Sequence, residues 1–342
     1  MDFKQIIENN FNSFSGHAKS WCKFAFHFTD ISNAVEILAS HTLYSRDKAI
    51  SSKLMHNDNA SKQVIDLTSS AVTKNVRFYF RPMTPTQFHN EGFKHEAVRF
   101  NGENSANVPV PVFFVFDLER LLSQTGCQFS EMSQAGAGCE LWSTADKFQT
   151  FAFNKIYSEG HSDNFEDEKK YRHAEILFPE SYNIDQSLLY VVCRNEIERQ
   201  TLLKLLLDKS LTAYPLYKQR IYVSSKRNIF FYNGLYIDNC YYCNGMINII
   251  FSDGYQRLQY AKRHKVDLED IELKVSIIVK WIANGNIYHQ AERDLKINYL
   301  ECDDIQVKTD IEDKTEKLEV VIYFEQSLMC DIFLPVNQSN VM

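Results

Sequence analysis

Hydrophobic residues in the first 230 positions gather into short dense blocks divided by polar stretches. Phe24-Ala25-Phe26-His27-Phe28-Thr29, Val76-Arg77-Phe78-Tyr79-Phe80-Arg81 and the runs 110–116, 172–178, 188–193 and 221–223 are dominated by apolar residues and predict strands. Pro82 and Pro85 end the second of these and Pro179 the run at 172–178, because proline cannot donate to a sheet ladder. Helical spacing predicts helices over 3–10, 34–39, 118–122 and 196–207, with Asp30 or Ser32 capping the second and Asp117 the third. Thr42-Leu43-Tyr44-Ser45 reads as a short extended piece, 47–75 as polar helix and loop, 90–108 as loop, and 158–170 as an acidic loop or helix start. Beyond 230 the helical spacing fades. Period-two alternation takes over in 246–251, 271–282, 286–299, 304–310 and 317–334, with Asn284-Gly285 as a hairpin turn. The pattern therefore predicts an α+β unit over 1–229 followed by a mainly antiparallel β unit over 230–342, with no internal repeat.

Composition narrows the class. The chain has 342 residues, 44% of them hydrophobic and 24% charged, with 11 Gly and 7 Pro, which excludes collagen-like, low-complexity and wholly disordered chains. No apolar run reaches the ~18 residues of a membrane helix, and the N-terminus lacks a basic segment followed by an apolar one. A cytoplasmic protein without membrane contact is the expectation. Eight cysteines without framework spacing fit a reduced, intracellular chain. Cys240-Tyr241-Tyr242-Cys243 has no second ligand pair, so it reads as two buried thiols beside a strand and no metal is expected. Gln134-Ala135-Gly136-Ala137-Gly138 reads as flexible. It lacks the strand before and helix after that a dinucleotide fingerprint requires.

The net charge of −7 is unevenly spread: +3 over 1–100, −8 over 101–200, +5 over 201–300 and −7 over 301–342. An acidic total disfavours a histone-like binder but leaves room for a local basic groove, since screening confines charges to about 8–10 Å. Tyr217-Lys218-Gln219-Arg220-Ile221-Tyr222-Val223-Ser224-Ser225-Lys226-Arg227 interleaves aromatic and basic side chains. It suits either a strand with a solvated basic face or a single-strand contact through Lys218, Arg220 and Tyr222. The acidic end, Asp303, Asp304, Asp310, Glu312 and Asp313, would repel nucleic acid and favours a protein-contact role for the β unit.

Three features carry candidate chemistry. His27-Phe28-Thr29 ends an apolar strand, where the histidine is either a core residue or a ribose ligand. Phe78-Tyr79-Phe80-Arg81-Pro82-Met83-Thr84-Pro85 joins an aromatic strand to a rigid turn. Arg172-His173-Ala174-Glu175-Ile176-Leu177 puts a carboxylate inside a strand, where a buried charge needs a partner such as Arg172 or Lys155, or a catalytic reason.

Together, in this order, the three resemble the ADP-ribosyltransferase plan. More closely, they resemble the DarT family of nucleic-acid-base ADP-ribosyltransferase toxins. His27-Phe28-Thr29-Asp30-Ile31-Ser32-Asn33 is similar to that family's His-x-Thr-x-x-x-Asn entry, residues 78–85 to its Phe-Tyr-Phe-x-Pro-x-Ser/Thr-Pro, and Ala174-Glu175-Ile176-Leu177 to its Ala-Glu-Phe-Leu. The resemblance covers about 20–225. It implies an ADP-ribosyltransferase-like split antiparallel β-sheet with flanking helices. It also implies NAD as co-substrate without metal, and transfer of ADP-ribose to guanine or thymine in single-stranded DNA. His27, Phe28, Thr29, Asn33, Tyr79 and Phe80 would contact NAD, and Glu175 would be catalytic. The implied partners are single-stranded nucleic acid and a cognate antitoxin, of macrodomain or NADAR type, that removes ADP-ribose. Thymidine-modifying members carry a catalytic arginine between the first two motifs. Residues 57–75 hold none, and Arg46 is taken for the role, with Arg77 and Arg81 lying later. RNA or protein acceptors, and a non-catalytic scaffold with a partner-binding β unit, are the competing readings.

Overall fold

A computed structural model describes residues 1–57, 70–100, 107–134, 139–160, 165–224, 228–264 and 271–336. The expected flexible residues 135–138, the end of the basic-aromatic stretch at 225–227, and parts of the loops at 47–75, 90–108 and 158–170 lie outside them.

Seven strands build the central sheet: β1 (Phe24–Asp30), β3 (Asn75–Tyr79), β4 (Pro111–Asp117), β5 (Gln128–Ser130), β6 (Glu175–Pro179), β8 (Leu188–Cys193) and β9 (Ile221–Val223). Their order is β5-β6-β3-β1-β4-β8-β9, antiparallel except for the β8–β9 pair. Two short strands, β2 (Thr42–Tyr44) and β7 (Ser181–Asn183), pair beside it. The sheet is split in its middle. β1 pairs with β4 at seven register positions, from Phe24↔Asp117 to Asp30↔Pro111, but with β3 only at Phe26↔Tyr79.

The chain enters helices where the sequence supplies caps. Asp30 accepts from Ser32 N at 3.0 Å and starts the helix Ile31–Ser40. Asp117 caps Leu118–Leu122 in the same way. Thr84 caps Pro85–Asn90, whose first residue is a proline fitted to that position. Aromatic packing covers one face of the sheet. Phe78 meets Phe116, Phe178 and Tyr182, and Phe80, two residues on, stacks on Phe148, which also packs on Phe129.

The C-terminal part is antiparallel, as expected. One sheet joins β10 (Ile237–Cys243), β11 (Met246–Phe251) and β14 (Ile305–Lys308). The other joins β12 (Glu272–Ala283), β13 (Asn286–Asn298), β15 (Lys317–Phe324) and β16 (Ser327–Pro335) in the order β13-β12-β15-β16. Asn284 and Gly285, at φ 50° and 73°, turn β12 into β13 as the dipeptide predicts. The alternating run 317–334 is two strands, broken where Glu325 adopts φ 51°. A helix, Tyr255–Arg263, escapes sequence reading; its cap position is Gly254, and Asp253 Oδ1 accepts from Tyr255 N at 2.8 Å. Cys240 and Cys243 lie within β10, one buried and one exposed. Three residues apart on a strand, they point to opposite faces.

The two parts share one hydrophobic core that runs through Ile229, Phe230 and Leu235. The segment 231–235 also feeds a buried polar junction. Glu91, fully buried, accepts from Phe231 N at 2.9 Å, Tyr232 N at 2.8 Å and Gln87 Nε2 at 2.7 Å. Lys94 donates to Asn233 Oδ1 at 3.1 Å and to the Glu91 carbonyl. Gly92 and Gly234 cross so closely that a Cβ on Gly234 would sit 2.6 Å from Gly92 Cα. On the other side, Lys204 of the helix Glu196–Lys209 reaches Asp331 at 3.0 Å and Glu319 at 3.2 Å.

Candidate functional site

The split between β1 and β3 opens into a cavity of about 200 Å³. His27, Phe28 and Thr29 all line it, and consecutive strand residues leave opposite faces, so it meets the end of β1 rather than one face of the sheet. Tyr79 and Arg77 line it from β3, Asn33 and Glu36 from the helix Ile31–Ser40, Tyr44 from the end of β2 and Arg46 from just beyond it.

His27 spans the split. Its Nδ1 lies 3.0 Å from the carbonyl oxygen of Arg77. That oxygen can only accept, so Nδ1 carries the proton and Nε2 keeps a lone pair. Burial pushes the imidazole pKa down, which keeps it neutral. Asn33 is engaged from both ends. Its amide nitrogen donates to Thr29 Oγ1 at 3.3 Å and to the Asn57 carbonyl at 2.6 Å, while its oxygen accepts from His56 N at 2.9 Å. It thus fastens the 56–57 wall of the cavity to the helix start. Asp30 beneath is pushed up by burial and pulled back by the N–H groups of Ser32 and Val110.

Glu175 heads β6, with Tyr79 directly opposite on β3 and Ser130 on β5. Arg77 stands diagonally across, facing Leu177, and so shares the face of Glu175. Its guanidinium takes the carboxylate with two bonds, Nε to Oε2 at 3.0 Å and Nη2 to Oε1 at 2.5 Å. Glu175 is wholly buried, whereas the Arg77 side chain is 26% exposed and reaches the cavity. Arg77 therefore lies between the cavity and the carboxylate. Burial, the largest single effect, would lower the Arg77 pKa, but the charges of Glu175 and Tyr79 and the hydrogen bonds to Glu175 together outweigh it and the net direction is up. Tyr79 is pushed up by burial, with Arg77 pulling it down and Glu175 up. Two residues before Glu175, His173 is driven down to about 4 by burial, then by Arg77, Lys169 and Arg81.

The expected partners of Glu175 are used elsewhere. Arg172 bonds Ser158, the Gly160 carbonyl and Glu168, so it belongs to the turn after the helix Phe165–Tyr171, and the strand begins at Glu175 rather than at 172. Lys155 pairs with Asp167 at 2.7 Å. Arg81 is buried against the carbonyls of Pro82, Ile156 and Ser158, with its pKa pushed down to about 9 by burial.

Of the expected site residues, His27, Phe28, Thr29, Asn33, Tyr79 and Arg46 line the cavity, and Glu175 lies behind Arg77. Phe80 does not reach it. Alternation along the chain turns its ring away from Tyr79, into the aromatic core against Phe148 and Phe151. Lys218, Arg220 and Tyr222 do not reach it either. They lie at or beside β9, five strand spacings from β6, or about 24 Å. Sequence reasoning passed over Arg77 as the partner of Glu175. The signal was present, an arginine on the Tyr79 face of an adjacent strand, but it needs the β3–β6 register to be read.

The family model described as ssDNA thymidine ADP-ribosyltransferase, DarT, matches residues 26–231. Among solved structures, Thermus sp. 2.9 DarT in complex with ADP-ribosylated ssDNA is similar at 13% identity, covering 61% of this chain and 96% of that one, with a TM-score of 0.49. The same protein in complex with NAD+ matches at 11% identity, over 61% and 98%, with a TM-score of 0.47. Thermosipho africanus DarTG in complex with ADP-ribose matches at 10% identity, over 64% and 53%, with a TM-score of 0.47. No curated protein matches the sequence.

Proposed function

The chain belongs to the DarT family of ssDNA thymidine ADP-ribosyltransferases, and from that premise we propose that it transfers ADP-ribose from NAD to a base of single-stranded DNA, thymine foremost, with release of nicotinamide. The observation that carries the reading is the doubly bonded Arg77–Glu175 pair at the inner end of the cavity. A buried carboxylate with a dedicated guanidinium is costly to keep and is rewarded where a cation forms in its reach.

The cavity chemistry fits NAD. Two guanidinium groups, Arg46 and Arg77, line it against the single carboxylate of Glu36, which Lys209 and His56 already engage. That balance suits an anionic diphosphate. Neutral His27 offers Nε2 as acceptor for a ribose hydroxyl, and Tyr79 offers an aromatic face. At about 200 Å³ the cavity is smaller than a typical ligand pocket, so it takes one end of the dinucleotide.

C1′ of the nicotinamide ribose gains positive charge as nicotinamide leaves. Glu175 stabilises that charge and takes the proton of the attacking base nitrogen. In the ligand-free geometry both carboxylate oxygens are held by Arg77. Arg77 orients the carboxylate and turns outward to meet substrate, which frees one oxygen for the base. On this reading Arg77, rather than Arg46, is the guanidinium that works with Glu175. Nothing in the comparisons supports guanine. A toxin role opposed by an antitoxin that removes ADP-ribose is part of the same proposal.

The test is incubation with NAD labelled on the adenylate phosphate and separate single-stranded DNA and RNA pools, followed by mass analysis of the digested nucleosides. One ADP-ribose on thymidine, absent with Glu175→Ala, is the expected result. A labelled protein band or labelled RNA alone would overturn the acceptor.

A further inference from the structure

The helix Pro85–Asn90 follows directly from the aromatic-proline motif, and its last turn meets the C-terminal part of the chain. Phe88 packs against Phe231 with ring centroids 5.2 Å apart and against Tyr260 at 5.4 Å. Tyr260 belongs to the helix Tyr255–Arg263, and its hydroxyl points at the His89 carbonyl, 3.5 Å away. Two stacked pairs stand side by side on this junction. His89 lies on Phe100 with centroids 3.8 Å apart and planes 23° apart. His264 lies on Tyr260 at 4.2 Å and 28°. His264 also touches Phe100 at 5.5 Å and His89 at 5.6 Å, which makes one continuous aromatic patch. Phe100 is 39% exposed, large for a phenylalanine in a chain that hides most of its rings.

Among the described residues, the charges nearest the patch are mainly basic. Arg263 sits over the Phe88 ring at 5.8 Å and Lys94 Nζ over the Tyr260 ring at 4.8 Å. Burial drives His89 down to about 4, and the charged groups that add to the shift are His264, Lys94, Lys169 and His173, all of them bases. The nearby carboxylate of Glu91 is consumed by Phe231 N, Tyr232 N and Gln87. The helix Tyr255–Arg263 carries Arg257, Lys262 and Arg263 and no acidic residue, in contrast to the acidic end of the chain. His173, two residues before Glu175, is among the bases whose charge acts on His89, and Arg77 in turn acts on His173. His89 Nδ1 is buried without a hydrogen-bond partner among the described residues.

Ring faces interleaved with cations are what a single strand asks for: each base has a face to stack and each phosphate a charge to pair. We propose that Phe100, His89 and His264 form a base-stacking platform, shared between the DarT-like unit and the helix Tyr255–Arg263, on which single-stranded DNA lies beside the Glu175 site. This rests on single-stranded DNA being the acceptor. The C-terminal part of the chain then supplies substrate contacts, and the strand runs past β6 rather than along β9.

The experiment is fluorescence anisotropy of a labelled mixed-sequence single-stranded oligonucleotide with the full chain, alongside transfer of ADP-ribose to the same oligonucleotide. Phe100→Ala and His264→Ala, on separate segments, should each weaken binding roughly ten- to a hundredfold, the range for losing one base stack. Phe100→Tyr should bind within about twofold of wild type, since a tyrosine ring stacks as well. Arg263→Gln should reduce the salt-dependence slope by about 0.7, the mark of one phosphate contact, whereas Phe100→Ala should leave the slope unchanged. Unchanged melting temperatures exclude misfolding. Wild-type affinity in both Phe100→Ala and His264→Ala, with transfer to DNA intact, overturns the platform and leaves the acceptor reading standing. A wild-type chain that neither binds nor modifies the oligonucleotide overturns both.

Discussion

Glu175 and Arg77 are tied in stability but divided in function, and their variants separate the two. Glu175→Gln should cut transfer more than about 100-fold, or ~2.7 kcal/mol of barrier, and activity within tenfold of wild type would refute the role. Arg77→Ala leaves a wholly buried carboxylate without its cation, which costs on the order of 2 kcal/mol after allowing for the partial exposure of Arg77. The double variant should recover most of that stability in denaturant titration yet remain inactive. Buried histidines set a second expectation. His89 and His173 have folded pKa values near 4 against an ordinary 6.5, so the unfolded chain binds more protons between pH 6.5 and 4. Stability is therefore lost as pH falls through that window, by up to about 1.4 kcal/mol per pH unit for each histidine. Asp30 and Glu198, raised by burial, act with the opposite sign just above their ordinary values. Melting temperatures from pH 7 to 4.5 should show a slope that flattens in His173→Gln, and an unaltered slope would count against the assignment. At this scale the motif residues were legible and their partners were not. His27, Thr29 and Asn33 were visible as a spacing, but that Asn33 holds residues 56–57 requires a fold. Phe80 follows the end of β3 and packs into the aromatic core against Phe148 and Phe151, which only the fold reveals.

Among elements, β1, β3, β4, β8 and β9 were legible to within two residues because apolar blocks and proline stops coincide, whereas β6 was read three residues early and the three-residue strands β5 and β7 were missed. The helix Tyr255–Arg263 was passed over although Asp253 takes its first N–H, and β10 was hidden by its exposed polar positions Asp238 and Asn239. The crossing of 91–93 with 231–235 is the element-level feature most open to test. Gly234→Ala places a Cβ against the Gly92 backbone, and neither segment can yield while Glu91 holds the N–H groups of Phe231 and Tyr232. We expect a loss of roughly 2–3 kcal/mol, at the upper end for overpacking. Equal melting temperatures for Gly234→Ala and wild type would show that the crossing is looser than its geometry.

For the whole molecule, the boundary expected near 229 crosses a shared core and a buried polar junction. A fragment ending at 229 would leave Glu91 without two of its donors, Lys94 without Asn233, and Lys204 without Glu319 and Asp331. We therefore expect residues 1–229 expressed alone to be insoluble or molten by near-UV circular dichroism. A soluble fragment whose melting temperature rises with NAD would restore two independent domains. No helix among the described residues is long and apolar enough to cross a membrane. The one-position pairing of β1 with β3 has a mechanical consequence. β5, β6 and β3 form one panel, bearing Arg77 and Glu175, and β1, β4, β8 and β9 form another, bearing His27 and Thr29. Each panel is laced by full ladders, so strain applied to the sheet gathers at the single rung Phe26↔Tyr79 and the His27 strut beside it. Widening the gap breaks one rung where any other seam of comparable length would break several. The groups that hold a ligand can thus part from the groups that react with it while each panel keeps its shape.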